Sequence, residues 1–231
     1  VCIFNEEAAT QPVHLLKKVV QQQITILEIV PALLRAVLEE IKRSQTHFDL
    51  SQLRWLVLTG EALPPPLCTQ WLEKYPSIPL FNAYGPTECS DDVSHYPIHQ
   101  APVPELNQLP IGKAVNNMQL YVLDAYFQPT PIGVTGELCV GGIGVGRGYL
   151  KAPKKTAETF IPNPFTNELG VRLYKTGELV RYLPDGNIEY LGRIDNQVKI
   201  RGFRIELGEI EAVLEQHSAV QQNAVIIHET E

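Results

Sequence analysis

The sequence predicts an α/β fold: a parallel sheet of βαβ units, then a small antiparallel β region that is barrel-like, then the beginning of an α+β unit. Three observations support this prediction. Up to about residue 92, strand-like apolar runs alternate with amphipathic helical segments, which is typical of βαβ units. From residue 111 to residue 192, glycines and prolines separate short β-like runs, as in small antiparallel sheets and barrels. From residue 195 onward, a strand-like segment precedes an amphipathic helix.

Three helices and three strands are predicted in the first third of the chain. Pro12, Pro31 and the run Pro64–Pro66 mark the first helical turns, where a residue without an N–H is tolerated. Apolar residues recur at helical spacing behind each proline, as Leu34 and Leu38 do in the second helix. The apolar runs that predict strands are Ile24–Leu27, Trp55–Leu58 and Pro79–Phe81.

The rest of the chain predicts shorter elements. Asp185-Gly186 between two β-like runs predicts a hairpin turn. Predicted strands are Gln119–Leu123, Glu137–Val140, Leu173–Tyr174, Asn187–Leu191, Gln197–Ile200 and Ala224–Ile227, and predicted helices are Ala152–Thr159 and Glu206–His217. The last helix is expected to turn four apolar residues inward, namely Leu207, Ile210, Val213 and Leu214.

Composition and charge exclude several classes of protein. Of the 231 residues, 44% are hydrophobic and 19% are charged, which allows a sizeable core and gives no sign of disorder. The formal net charge is −7 without a long basic stripe, which argues against nucleic acid and anionic membranes as partners. The four cysteines form no Cys-x-x-Cys pair, which favours reduced thiols in the cytoplasm. Glu28, Pro31 and Arg35 interrupt the most apolar stretch, so it cannot span a membrane.

The segment Asn82–Glu88, with the sequence NAYGPTE, is the first candidate for chemistry. It follows a predicted strand, and ligands of open α/β sheets bind at the carboxyl ends of strands. Tyr84 offers an aromatic face, Thr87 a hydroxyl for a phosphate, and Glu88 a carboxylate for a metal ion. The structural alternative is an ordinary turn with proline at its second position, followed by solvated acids.

A glycine-rich segment at Gly141–Gly148 contains glycines spaced as in a dinucleotide-binding loop. Its context argues against that function, because no helix opens directly after it and no βαβ unit surrounds it. The sequence also contains no Walker loop of the form G-x-x-x-x-G-K-[ST]. The segment therefore predicts a tight turn in the β region.

Five ordered motifs identify a family resemblance. They are LRWLVLTGEAL from Leu53, NAYGPTE from Asn82, GELCVGGIGVGRGYL from Gly136, YKTGEL from Tyr174 and GRIDNQVKIRGFRIELGEIE from Gly192. In this order and spacing, the sequence resembles the amino-acid adenylation domains of nonribosomal peptide synthetases over nearly its whole length. The resemblance implies activation of an amino acid with ATP and magnesium, release of pyrophosphate, and transfer to the phosphopantetheine thiol of a carrier protein.

The resemblance also implies partners and domains. The partners are the amino-acid substrate, a peptidyl carrier protein and a condensation domain of the same synthetase, and a small accessory protein is allowed. Residues 1–110 would form the second half of the large α/β subdomain, 111–194 the small β-barrel-like subdomain, and 195–231 the start of the C-terminal α+β subdomain. Asp195 matches the hinge between adenylation and thioester formation, and Lys199–Glu206 matches the loop that approaches the pantetheine thiol.

Site residues are implied residue by residue. Asn82 and Tyr84 match the residues that hold adenine, Thr87 the hydroxyl that reaches the phosphate, and Glu88 the magnesium ligand. Glu178 stands where the family usually has the aspartate that accepts hydrogen bonds from ribose, and its extra methylene alters that contact. The implied nucleotide-binding residues are Gly60, Glu61, Ala62, Asn82, Ala83, Tyr84, Thr87, Glu178 and Arg193. The implied catalytic residues are Thr87, Glu88, Arg193 and Lys199.

The substrate pocket is implied at six positions, which are Glu28, Val57, Thr59, Ala83, Asp91 and Asp92. Three of them are acidic, and buried carboxylates are costly unless they are paired or hydrogen-bonded. We therefore expect an amino acid with a basic side chain, such as diaminobutyrate, ornithine, lysine or arginine. The alternative is that one carboxylate binds a hydroxyl or amide of a neutral polar substrate.

Three features of the family have no counterpart in this sequence: the glycine-, serine- and threonine-rich phosphate loop, the aspartate that binds the substrate amine, and the C-terminal catalytic lysine. Because the first residue is Val1 and the only methionine is Met118, we expect a fragment that forms no aminoacyl-adenylate alone. Two alternative functions remain open. An acyl- or aryl-CoA ligase of the same superfamily would accept free coenzyme A, and a noncatalytic remnant would lack the missing segments in its complete gene.

Overall fold

The computed structural model describes residues 1–4, 11–45, 47–104, 106–195, 197–200, 202–217 and 219–228. The helices in these residues are α1 (Pro12–Gln21), α2 (Pro31–Ser44), α3 (Pro65–Lys74), α4 (Pro153–Thr159) and α5 (Leu207–Glu215), with a 3-10 helix at Thr87–Cys89. The strands are β1 (Ile26–Ile29), β2 (Trp55–Leu58), β3 (Leu80–Tyr84), β4 (Ser94–Ile98), β5 (Lys113–Ala114), β6 (Met118–Leu123), β7 (Gly136–Gly142), β8 (Phe160–Pro162), β9 (Arg172–Tyr182), β10 (Ile188–Arg193), β11 (Gln197–Ile200) and β12 (Phe203–Glu206). None of these helices is both long and apolar enough to cross a membrane.

The first sheet has the order β1-β2-β3-β4-β5. Strands β1, β2 and β3 are parallel, with helices α2 and α3 as crossovers, so the predicted βαβ units are confirmed. One face of this sheet packs against α1, α2 and α3 in a continuous apolar core that includes Leu34, Leu58 and Trp71. Strands β4 and β5 extend the sheet in the antiparallel direction.

The second sheet is antiparallel throughout and has the order β10-β9-β7-β6, with β8 also paired to β9. It is an open sheet rather than a closed barrel within the residues that the structure describes. The predicted hairpin at Asp185-Gly186 is confirmed, since Gly186 N–H donates to the Leu183 carbonyl at 2.9 Å and β9 pairs with β10. The core of the second sheet contains Val140, Val180 and Ile188.

The two sheets are joined beside Gly112. The Ile111 N–H donates to the Ile188 carbonyl at 2.8 Å, and the Ile188 N–H donates to the Gly112 carbonyl at 2.9 Å. Gly112 has a φ of +89°, and a Cβ there would lie 2.0 Å from the His95 carbonyl oxygen. A glycine is therefore required where the chain passes from the first sheet to the second.

Several predicted elements differ from the structure. Strand β1 begins and ends two residues later than predicted, β3 includes Asn82 and Tyr84 instead of ending before them, and Ala224–Ile227 is not a strand. Strand β4 was not predicted, because its short run contains Pro97 and shows no clear alternation.

The prediction that α5 turns its apolar side chains inward is wrong for three of them. Ile210, Val213 and Leu214 are 42%, 65% and 41% exposed. The reason is that the helix follows a two-stranded sheet, β11-β12, which offers little surface to cover it among the described residues. The three predicted domains remain a prediction, and the first sheet extends to β5 at Lys113–Ala114.

Leu58 provides a test of the first core. Its side chain is fully buried in β2, so Leu58→Ala should lower the free energy of unfolding by about 2–5 kcal/mol through lost burial and a residual cavity. Leu169, which is 98% exposed, is the matched control, and Leu169→Ala should change the free energy of unfolding by less than about 0.5 kcal/mol. Urea unfolding followed by circular dichroism measures both. Equal effects of the two substitutions would contradict the described core.

Candidate functional site

A cavity of about 300 Å³ lies at the carboxyl ends of β2 and β3, between the two sheets and β11. The sequence-predicted residues that line it are Gly60, Glu61, Ala62, Asn82, Ala83, Tyr84, Glu178, Arg193 and Lys199. Other lining residues include Tyr190 and Gln197. The cavity thus brings together residues from five separate parts of the sequence, and it lies where open α/β sheets usually bind ligands.

Local chain geometry explains why this edge is open. The parallel strands β2 and β3 both end here, and the chain turns sharply after each of them. Gly60 has a φ of +85°, and a Cβ on Gly85 would lie 1.7 Å from the Asp91 carbonyl oxygen. The loop from Gly85 to Asp91 therefore folds back on itself, which leaves the ends of the strands facing the cavity.

Asn82 is held in one orientation inside the cavity wall. It is 4% exposed, and its Nδ2 donates to the Pro110 carbonyl at 2.8 Å. Its Oδ1 has no partner among the described residues. The side chain consequently presents a fixed hydrogen-bond acceptor.

Glu178 is a buried carboxylate with two partners from different strands. The Tyr84 hydroxyl donates to its Oε2, and Arg193 Nη1 lies 3.2 Å from its Oε1. Burial raises the pKa of Glu178, and the hydrogen bond from Tyr84 and the charges of Lys199 and Arg193 oppose this shift without cancelling it. Burial, followed by the Glu178 charge, also raises the pKa of Tyr84. Tyr84 is therefore the donor of a buried hydrogen bond that joins β3 to β9.

Two cations flank Glu178. Arg193 forms two further hydrogen bonds to Asp195, from Nε to Oδ1 at 2.6 Å and from Nη2 to Oδ2 at 2.7 Å. The hydrogen bonds from Arg193 lower the pKa of Asp195. Lys199 Nζ lies 5.7 Å from the centroid of the Tyr84 ring, which is within the range of a cation–π contact. Arg193 and Lys199 thus place two positive charges close to the buried Glu178 carboxylate.

Glu61 lines the cavity, but its carboxylate accepts hydrogen bonds from the backbone of two distant segments. Oε1 accepts a hydrogen bond from the Gly202 N–H at 2.7 Å, and Oε2 accepts one from the Ala32 N–H at 3.2 Å. Ala32 lies in the first turn of α2, where backbone N–H groups lack helical partners. Glu61 therefore connects the turn between β11 and β12 to the first sheet.

Thr87 and Glu88 line a second cavity of about 450 Å³, together with Tyr149 and Arg204. Arg204 Nη1 donates to both oxygens of Glu88 at 2.9 Å, and the Tyr149 hydroxyl donates to Oε1 at 2.8 Å. Burial disfavours ionisation of Glu88, but the hydrogen bond from Tyr149 and the Arg204 charge outweigh it and lower the pKa of Glu88. Tyr149 was not predicted as a site residue, and Arg204 was predicted only as part of the Lys199–Glu206 loop.

The donor chemistry of Glu88 suits magnesium, because a hard carboxylate oxygen and substrate phosphates form the usual ligand set. No group of three or more His, Cys, Asp or Glu side chains that could hold a metal occurs among the described residues. In this arrangement both oxygens of Glu88 are occupied by Arg204. The positive charge of Arg204 opposes binding of a metal ion to this carboxylate, and movement of Arg204 away from Glu88 would remove that opposition.

The predicted substrate positions lie near the carboxyl end of the sheet. Asp92 Oδ1 accepts a hydrogen bond from Thr59 at 3.1 Å, and Asp92 Oδ2 lies 3.1 Å from His95 Nε2. Burial, and after it the charges of Asp91 and Asp92, raise the pKa of Glu28. Burial and Asp92 likewise raise the pKa of Asp91. Glu28 and Asp91 are exposed and Asp92 is half-buried, so the burial expected for these three carboxylates is incomplete in the structure.

His95 was not predicted as a site residue. It pairs with Ala83 across strands β3 and β4, and its ring lies 5.0 Å from that of Phe81. Val57 on β2 and Ala83 on β3 are buried, at 8% and 3% exposure. The antiparallel pairing of β4 with β3, which was not predicted, places His95 beside Ala83.

Comparisons with known proteins agree with these features. The AMP-binding enzyme family matches residues 1–150. The chain is 40% identical over 227 residues to bacitracin synthase 1 of Bacillus licheniformis, covering 97% of the chain and 4% of that protein. It is 43% identical over 228 residues to gramicidin S synthase 2 of Brevibacillus brevis, covering 98% of the chain and 5% of that protein. The chain thus spans a small part of these curated relatives.

Solved structures show the same fold. An artificially fused adenylation–PCP di-domain, NpsA-ThdA from Klebsiella oxytoca, matches 95% of the chain and 43% of its own length, with a TM-score of 0.81 and 29% identity. The nonribosomal peptide synthetase FmoA3, in a form bound to α-methyl-L-serine-AMP, matches 87% of the chain and 22% of its own length, with a TM-score of 0.72 and 33% identity.

The lowered pKa of Glu88 predicts how Glu88→Gln depends on pH. A carboxyl whose folded-state pKa is below its ordinary value of 4.5 contributes stability above that value and loses it as the pH falls through the folded-state pKa. At about pH 6 the variant should be less stable by about 1.5–3 kcal/mol, the worth of hydrogen bonds to a charged group. The difference should shrink below about pH 4.5. Urea unfolding across this range measures it.

Glu73→Gln serves as the control, because Glu73 is exposed on α3. The free energy of unfolding of Glu73→Gln should equal that of the wild type at each pH. If the loss of unfolding free energy in Glu88→Gln stays constant or grows as the pH falls, the ion pair between Glu88 and Arg204 is contradicted.

Proposed function

Since the chain belongs to the AMP-binding enzyme family, and within it to the adenylation domains of nonribosomal peptide synthetases, we propose that the intact protein activates an amino acid with ATP. The reaction joins the amino-acid carboxylate to AMP and releases pyrophosphate. The aminoacyl group then passes to the phosphopantetheine thiol of a carrier protein. The observation that carries the proposal is the shared cavity of Asn82, Tyr84, Glu178 and Arg193.

The adenine base would bind beside Asn82 and Tyr84. The fixed Oδ1 of Asn82 suits the exocyclic amine of adenine, because that amine is a donor and Oδ1 has no partner among the residues described. The ring of Tyr84 lines the same cavity and offers an aromatic face for a base. Gly60, Ala62 and the backbone at Ala83 would form the remaining wall.

The ribose and phosphates would lie toward the charged end of the cavity. Glu178 retains lone pairs beyond those used by Tyr84 and Arg193, since a carboxylate has about four acceptor sites. Arg193 and Lys199 supply positive charge near the reacting phosphate, which stabilises negative charge that develops there. Thr87 would offer its exposed hydroxyl to the phosphate.

Glu88 would hold magnesium once Arg204 has left it. Magnesium, when bound, would neutralise charge on the phosphates. We propose that Arg204 leaves Glu88 through movement of β11 and β12, with Asp195 as the hinge because it lies two residues before β11. On this proposal, residues 1–110, 111–194 and 195–231 act as separate subdomains, and Lys199–Glu206 approaches the carrier thiol.

The comparisons support the proposed partners in general terms. NpsA-ThdA contains an adenylation domain fused to a carrier domain, and the curated relatives are synthases much longer than this chain. We therefore propose a peptidyl carrier protein and a condensation domain of the same synthetase as partners.

The substrate is proposed to carry a basic side chain. Asp92 is already paired with Thr59 and His95, so its charge is partly compensated within the protein. Glu28 and Asp91 are exposed and have no such partner among the described residues, and partial desolvation and the charges of neighbouring acids raise the pKa of both carboxyls. An ammonium or guanidinium between them would offset those charges. Ornithine, lysine, diaminobutyrate and arginine have suitable side chains.

Asn82→Ala tests adenine recognition in the protein encoded by the complete gene. Inosine triphosphate has a carbonyl oxygen where ATP has the exocyclic amine, so it would leave Asn82 Oδ1 unpaired. The wild type should bind ATP about tenfold more tightly than inosine triphosphate, and the variant should bind the two nucleotides about equally. Isothermal titration calorimetry measures both affinities. A variant that retains the wild-type ratio of the two affinities would contradict this role. Misfolding would weaken the binding of both nucleotides equally, so it would not change that ratio.

ATP–pyrophosphate exchange with a panel of amino acids tests the substrate class. The wild-type protein should exchange fastest with a basic amino acid. Glu28→Gln and Asp91→Asn should each lower exchange with that amino acid about fivefold relative to glutamine, because each removes one partly exposed charge. Glu73→Gln is the control with no expected change. Preference of the wild type for an aliphatic neutral amino acid would contradict the proposal.

A further inference from the structure

The carboxylate of Glu61 contacts the hairpin formed by β11 and β12. Oε1 accepts a hydrogen bond from the Gly202 N–H at 2.7 Å, and Oε2 accepts one from the Ala32 N–H at 3.2 Å. Gly202 lies in the turn of the hairpin, and Ala32 lies in the first turn of α2. One carboxylate therefore holds the hairpin turn beside the first sheet.

The chain is shaped for close approach where this turn meets the first sheet. Gly202 has a φ of +79°, and a Cβ there would lie 3.0 Å from Val30 Cγ1. Gly60 has a φ of +85°, and a Cβ there would lie 3.9 Å from the Gly202 Cα. A side chain at position 202 would push the turn away from Val30, so glycine permits the hydrogen bond to Glu61.

Two further contacts hold the same hairpin at the site. Arg204 on β12 donates to both oxygens of Glu88 at 2.9 Å. Lys199 on β11 has its Nζ 5.7 Å from the centroid of the Tyr84 ring. Lys199 lines the first cavity, and Arg204 lines the second. The position of the hairpin turn therefore decides whether both cations reach their cavities.

The docked hairpin suits the transfer step better than the adenylation step. Arg204 opposes a metal ion at Glu88, and adenylation is the step in which magnesium would neutralise the phosphates. In transfer, the thiol sulfur bonds to the aminoacyl carbonyl carbon, the bond from this carbon to the AMP oxygen breaks, and the thiol proton passes to solvent. The contacts that dock the hairpin should therefore matter most for transfer.

We propose that Glu61 is a positioning residue for the transfer step, because its carboxylate docks the hairpin turn and so keeps Lys199 and Arg204 at the site. The inference rests on the proposed ATP-dependent function and deepens it. The family resemblance implies a place for Glu61 in the nucleotide pocket, whereas both of its carboxylate oxygens accept from backbone N–H groups. Glu61 thus acts through the hairpin rather than on the nucleotide.

Glu61→Gln and Gly202→Ala test this contact from its two sides, in the protein encoded by the complete gene. The glutamine side chain has one acceptor oxygen instead of two, and the added Cβ of Gly202→Ala would meet Val30. Each substitution should lower the rate of aminoacyl loading of the carrier protein about tenfold more than the rate of ATP–pyrophosphate exchange. A change that only damages the fold would lower both rates alike.

Each variant has a matched control. Glu73→Gln removes an exposed carboxylate on α3. Gly133→Ala introduces a side chain at a similar φ of +82°, where an added Cβ would have no neighbour within 4 Å among the described residues. Both controls should keep the wild-type ratio of loading to exchange.

Trypsin digestion of the protein without ligands gives a second readout. Lys199 and Arg204 are cleavage sites within the hairpin. Cleavage after them should be about fivefold faster in Glu61→Gln and Gly202→Ala than in the wild type, because local opening of the hairpin becomes easier.

A wild-type ratio of loading to exchange in either variant overturns the inference, and so does an unchanged rate of cleavage in the hairpin. An equal loss of loading and exchange also overturns it, because Glu61 would then support the fold or the nucleotide. A wild type without exchange for any amino acid contradicts the proposed function itself, and the trypsin result still decides the docking contact.

Discussion

The buried Glu178 carboxylate is the interaction on which the arrangement of the site depends. It lies on β9 of the second sheet, and it accepts hydrogen bonds from Tyr84 on β3 of the first sheet and from Arg193 on β10. A buried carboxylate is costly unless it is paired and hydrogen-bonded, so the two sheets are held at the distance that satisfies it. Arg193 also forms hydrogen bonds to Asp195, which lies two residues before β11. The cavity lies within this network.

The end of β3 and the loop that follows it contribute residues to each part of the site. Asn82 and Tyr84 face the cavity at the end of β3, Glu88 lies in the next helical turn beside Arg204, and Asp92 follows with Thr59 and His95 as partners. The sharp turn at Gly85 makes this possible, because it brings residues that are close in sequence to different sides of the strand end. The proposed nucleotide and amino acid would therefore meet at this loop.

Local signals predicted much of the fold. Proline in the first turn predicted the starts of the first three helices, the apolar run at Trp55–Leu58 predicted β2 with its observed ends, and Asp185-Gly186 predicted the hairpin. Contacts between distant residues were not accessible in this way. Arg204 meets Glu88 across 116 positions, and Gly202 meets Glu61 across 141 positions. The exposed apolar face of α5 also depends on what packs against it, which periodicity does not encode.

The central claim is that ATP binds in the cavity between the two sheets, and photolabelling tests it most directly. The protein encoded by the complete gene would be irradiated with 8-azido-ATP, with and without excess ATP, and its labelled peptides identified by mass spectrometry. The claim predicts ATP-protected label in the peptides that contain Tyr84 or Tyr190, which line the cavity. Protected label only around Lys113, beside the open cleft of about 740 Å³ on the other side of β4, would contradict it.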